Sequence, residues 1–167
     1  MAAKSLGTWK DGDMTSLKEQ LQADLTTAMK ARDEMSSSTL RMVLTAVTNE
    51  EVSGKESRVL ADEDVITVLG REAKKRKEAA EAYDAADRAE LAQRERDELV
   101  VIERYLPEQL SAEDVQAIVD AAVAQVQAGG TSGGAAMGQV MKIVQPQVKG
   151  KADGGQVAAM VKSALGM

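Results

Sequence analysis

Apolar residues recur along this chain at helical spacing, in stretches bounded by polar, glycine or proline punctuation. Leu17, Leu21, Leu25, Ala28 and Met29 form one stripe and predict a helix from about Ser16 to Arg32. Leu40, Val43, Leu44, Val47 and Val52 predict a second helix, entered through the serine run Ser36 to Ser38. The connection between them at Asp33 to Met35 is short and polar, which favours an antiparallel hairpin. After the polar loop Gly54 to Ala61, Asp62 offers an N-cap carboxylate, and Glu63 and Asp64 suit the positive end of a helix dipole. This third helix is expected to run to about Ala85, burying Val65, Ile66 and Leu69. Its second half, AKKRKEAAEAY, offers little apolar surface beyond alanines and Tyr83 and is expected to project. A fourth helix, from Ala86 to Leu106, turns from a charged start to an apolar end through Leu91, Leu99, Val100, Ile102 and Tyr105.

Pro107 removes a backbone donor and restricts Leu106 to extended geometry, so the apolar period stops there. It restarts after Ser111, which with Asp114 makes a capping-box-like start to a fifth helix carrying Val115, Ile118, Val119, Ala122, Val123 and Val126. Gly129, Gly130, Gly133 and Gly134 lead to a sixth helix from Ala135 to about Gln145, closed by Pro146. Asp153 is expected to cap a seventh that ends near Gly166. The pattern therefore predicts an all-α chain: a mobile leader over 1–13, an N-terminal domain of helical hairpins over 14–106, and a C-terminal three-helix domain over 107–167.

Composition narrows the chemistry. The chain has 167 residues, with 44% apolar residues but only 2% aromatic, so its core must be built from Leu, Val, Ile, Met and Ala. It contains neither cysteine nor histidine, which removes thiolate nucleophiles, disulfides, thiolate metal sites and the commonest general base. No apolar run reaches the roughly 20 residues that span a bilayer, and the expectation is a cytoplasmic protein that needs no metal or cofactor. The formal net charge of −6 argues against indiscriminate coating of nucleic acid, so any contact with RNA must be local. Two basic places qualify: the run with Lys74, Lys75 and Arg76, and a loop with Lys149 and Lys151. The first is equally explained as a solvated face paired with Glu72, Glu78 and Glu81.

The second place lies in Gly138 to Val157, GQVMKIVQPQVKGKADGGQV. Lys149 and Lys151 flank Gly150 in a tight loop that leads into the free N–H groups of a helix start, a setting that attracts anions. The same residues also read as plain punctuation: Lys149 a C-terminal cation, Gly150 a C′ residue and Asp153 an N-cap, with Gly154 beside it. Gly138 and Met141 suit close helix crossing, and Gln139 and Lys142 fall on the neighbouring exposed face.

This segment resembles a signature of the YqeY proteins and of the homologous tail domain found in the GatB component of the tRNA-dependent amidotransferases. The resemblance extends through SLKEQLQADLTTAMKARDEM, STLRMVLTAVTNEEV, DEDVITVLGREAKKRKEAAEAY and YLPEQLSAEDVQAIV, in family order, from about Thr15 to Leu165. Many relatives carry glycine where this chain has Lys142. The resemblance implies a GatB/YqeY-type C-terminal unit. It also implies an RNA link, since the amidotransferase tail helps recognise the outer corner of tRNA. Lys149 and Lys151 become first-rank RNA contacts, with Lys142, Gln139, Lys74, Lys75 and Arg76 behind them. Gly138, Met141, Pro146, Gly150, Asp153 and Gly154 form the structural part of the motif. Implied partners are tRNA and an amidotransferase or aminoacyl-tRNA enzyme; a protein adaptor without RNA contact is the rival. The family is also labelled as carbon-nitrogen ligase with glutamine as amido-N-donor. This sequence shows neither a P-loop nor a serine-rich amidase stretch that such chemistry requires, so catalysis by the chain alone is not expected.

Overall fold

A computed structural model describes residues 15–167, and the expected leader lies outside them. Seven helices and no strands are found among the described residues: α1 (Leu17–Lys30), α2 (Glu34–Glu51), α3 (Asp62–Ala85), α4 (Ala89–Glu103), α5 (Ala112–Ala128), α6 (Gly133–Val148) and α7 (Gly154–Ala164). The chain divides into two compact units between Leu106 and Pro107.

In the first unit, Ser16 and Glu19 close a reciprocal capping box on α1. Asp33 then serves two helices. Its N–H donates to the Ala28 carbonyl at 2.9 Å, ending α1 through Arg32 at φ 56°, and its carboxylate accepts the Ser36 N–H and hydroxyl at 3.0 and 2.7 Å. Those two donors hold the Asp33 carboxyl below its ordinary range. The core gathers Leu17, Leu21, Leu40, Val43, Val47, Val65, Leu69, Ile102 and Tyr105. Met29 and Val52 leave the predicted stripes and stand half-exposed or more, because α1 buries Leu17, Leu21 and Ala28 while α2 ends before Val52.

Three details of α3 and α4 differ from the sequence pattern. Ala61, rather than Asp62, occupies the N-cap of α3, with its N–H donating to the Asp64 carboxylate at 3.2 Å. The freed Asp62 carboxylate instead accepts the Leu17 N–H at 2.9 Å. Secondly, α4 starts at Ala89, because α3 ends in a Schellman turn: Asp87 takes φ 60°, and the Arg88 N–H reaches the Tyr83 carbonyl at 2.8 Å. Thirdly, the lower half of α3 does not project. Ala73, Arg76 and Ala80 are buried against α4, where Ala92 and Glu98 are buried in turn.

The second unit has a core built mainly of valine: Val115, Val119, Val123 and Val126 from α5, Val140, Val144 and Val148 from α6, and Val157 and Val161 from α7. β-branched side chains have little rotamer freedom to lose on burial, which suits a small core. Ser111 and Asp114 form the reciprocal capping box of α5.

Candidate nucleic-acid interface

The loop between α6 and α7 grows out of an unusual helix end. Pro146 does not close α6, contrary to the sequence expectation; the helix runs two residues further, to Val148. Proline lacks the N–H that would bond back to the turn before, but buried Val148 anchors the last turn and the Lys149 N–H still reaches the Gln145 carbonyl at 2.9 Å. The Gln147 side chain meanwhile donates to the Ile143 carbonyl at 3.0 Å.

Beyond Val148 the chain makes a tight turn. Lys149 adopts φ −57° and ψ 122°, Gly150 adopts φ 73°, and the Lys151 N–H donates to the Val148 carbonyl at 2.8 Å. These values define a type II turn with Gly150 at the position where a side chain would be strained. Gly150 follows the C-cap Lys149, so it takes the expected C′ position and is at the same time the glycine of the turn. The Ala152 N–H also reaches the Val148 carbonyl, at 3.1 Å. Asp153 then caps α7, accepting the Gly155 N–H at 3.1 Å.

The turn is held from the start of the same unit. The Leu110 N–H donates to the Lys151 carbonyl at 2.8 Å, and the Gln109 side-chain amide donates to the Gly150 carbonyl at 2.9 Å and to the Pro107 carbonyl at 2.8 Å. Lys149 and Lys151 are exposed. Gln139 and Lys142 are exposed on α6, and Lys142 lies seven positions before Lys149, two turns back along the same side of the helix. Met141 packs against the valine core. Gly138 is exposed, with no atom near the place a Cβ would take, so it does not mediate a helix crossing; Gly154 likewise has open space.

The residues of α3 form a different arrangement in the first unit. Arg76 is a buried side chain, not a surface cation: its Nη1 lies 2.5 Å from Glu72 Oε2, and its Nε lies 3.3 Å from Glu98 Oε2. It leaves the set of RNA contacts for that reason. Lys75 bonds Glu72 at 2.9 Å and Lys74 approaches Glu78 at 4.0 Å, as the paired-face alternative expected of this run. Burial acts to raise the Glu72 carboxyl, but hydrogen bonds from Lys75 and Arg76 outweigh it and hold the group below its ordinary value. Sequence reasoning passed over Gln109 and Leu110. Their signal was a polar Gln109 followed by an apolar Leu110 just after Pro107, inside the block YLPEQL.

Comparison with known proteins decides the family. The model of the YqeY-like proteins matches residues 18–165. The chain belongs to the YqeY-like family. Among curated relatives, an uncharacterized protein of Schizosaccharomyces pombe is 34% identical over 97 residues, 58% of this chain and 76% of the other. A protein of Pyrenophora tritici-repentis named altered inheritance of mitochondria protein 41, mitochondrial, is 25% identical over 150 residues, 88% of this chain and 80% of the other. Its namesake in Vanderwaltozyma polyspora is 33% identical over 89 residues, and there the match spans only 46% of the relative's length. Among the described residues no helix is long and apolar enough to cross a membrane.

Proposed function

We infer that this YqeY-like protein is a non-catalytic helical module that binds tRNA, or a tRNA-enzyme assembly, through the turn between α6 and α7. The observation that carries this reading is the turn itself. A glycine-dependent type II turn displays Lys149 and Lys151 to solvent, its two following carbonyls are occupied by Gln109 and Leu110, and it opens onto the N-terminus of α7. Phosphate recognition asks for such a place: two ammonium groups on a fixed backbone, with the positive end of a helix dipole behind them. The overall acidity of the chain confines the contact to this patch and to Lys142 and Gln139 on α6. A module of this kind would serve an amidotransferase or an aminoacyl-tRNA enzyme as an accessory, and would work in the cytoplasm, although relatives carry mitochondrial names.

A second reading, an adaptor for protein partners, draws on one observation in the first unit. Met42 and Leu91 are 40% and 37% exposed beside a groove of about 420 Å³ that is also lined by Tyr83, Lys75 and Arg94. Salt separates the two. Binding of bulk deacylated tRNA measured over a salt series should strengthen steeply as salt falls, because condensed counterions are released from phosphate. Absence of tRNA binding at low salt rejects the RNA reading and leaves the groove as the better account.

A further inference from the structure

We propose that Gln109 is a positioning residue for the lysine turn, holding Lys149, Gly150 and Lys151 in the register that presents both ammonium groups outward. The inference rests on the phosphate-binding reading of that turn and deepens it. Both groups that Gln109 Nε2 touches, the carbonyls of Pro107 and Gly150, are acceptors only. That fixes the side-chain amide with its NH2 toward the turn, since its oxygen would meet two other oxygens. Gln109 is half-buried, so the bond to Gly150 competes with less water than a surface contact does.

The electrostatic consequence is specific. A type II turn presents carbonyl dipoles as well as side chains, and a phosphate approaching an open carbonyl is repelled. Here the Gly150 carbonyl is taken by Gln109 and the Lys151 carbonyl by the Leu110 N–H, while the Val148 carbonyl already accepts from Lys151 and Ala152. Three acceptors of the turn are thereby satisfied within the unit. The segment that supplies two of these donors starts at Pro107, the first residue of the unit, so Gln109 ties the entry of the C-terminal domain to its anion-binding turn.

The test uses the full chain with Gln109→Ala and Gln109→Met, the latter close in volume but without a donor. Hydrogen exchange at the Lys151 and Leu110 amides should quicken by about tenfold in both, the order expected for one lost hydrogen bond near 1.4 kcal/mol. Affinity for bulk deacylated tRNA should fall by about three- to tenfold, with the slope against salt unchanged because both lysines remain. A merely structural loss would instead lower the melting temperature and loosen α5 and α7 amides together. Unchanged exchange at Lys151 and Leu110 overturns the inference, and so does quickened exchange with full tRNA affinity. A wild type that binds no tRNA at low salt defeats the phosphate reading itself; that Gln109 orders the turn is then decided by the exchange arm alone.

Discussion

The carboxylate of Asp62 accepts the backbone N–H of Leu17 at 2.9 Å, so the first residue of α3 closes the open start of α1 across 45 positions of sequence. The first N–H groups of any helix lack intrahelical partners, and Ser16 supplies an acceptor to only one of them, that of Glu19. Asp62→Ala should therefore cost about 0.5–2 kcal/mol, the range of a lost N-cap, while Asp62→Asn keeps an acceptor and loses less. Urea unfolding of the two variants checks this. Equal losses would show that the carboxylate works through charge, and no loss would show that the contact contributes nothing.

Arg76 sits between Glu72 and Glu98 with all three side chains buried, so removing the cation takes away their shared buried partner and leaves each carboxylate only an exposed one, Lys75 on Glu72 and Arg94 on Glu98. Arg76→Met should destabilise the protein by about 3–5 kcal/mol, whereas the triple change Arg76→Met, Glu72→Met, Glu98→Met should recover most of the loss. The Glu72 carboxyl is held below its ordinary value in the folded state. Its contribution is therefore complete above the unfolded carboxyl value and disappears as pH falls through the folded one, a dependence absent from the triple variant. Thermal unfolding at neutral and acid pH measures both effects.

Two glycines of the signature should respond in opposite directions. Gly150 has φ 73° in the turn, where an added Cβ is strained, and Gly150→Ala should cost about 1–2 kcal/mol. Gly138 lies inside α6 with open space around it, and Gly138→Ala should stabilise by about 0.5–1 kcal/mol through reduced freedom of the unfolded chain. Denaturant midpoints decide the signs.

Much of this architecture was legible in the residues. The period of Leu17 and Leu21, of Leu40, Val43 and Val47, and of Val115 and Val119 marks helices and their buried faces, because helical spacing and burial are the same physical fact. Helix ends were harder. Asp62 has the residue type and place of a cap and closes a different helix, since a carboxylate one residue off can reach across to another free N–H. Pro146 has the character of a stop, but a proline in the last turn lacks only one bond and the buried Val148 beyond it outweighs that loss. The row of cations on α3 could not reveal that Arg76 faces inward, because its partner Glu98 comes from another helix. For the same reason Gln109 stayed hidden: its acceptor on Gly150 lies 41 positions away.

The central claim is that Lys149 and Lys151 bind tRNA phosphate, and the slope of log affinity against log salt tests it most directly. Lys149→Ala with Lys151→Ala should make that slope shallower by about 1.4–1.8 in total, from about 0.7–0.9 per phosphate contact, with the helical circular dichroism and melting temperature nearly unchanged. Asp153→Ala is the control: it removes the acceptor for the Gly155 N–H and should cost about 0.5–2 kcal/mol of stability. The account predicts a shallower slope in the folded double-lysine variant, and an unchanged slope would contradict it.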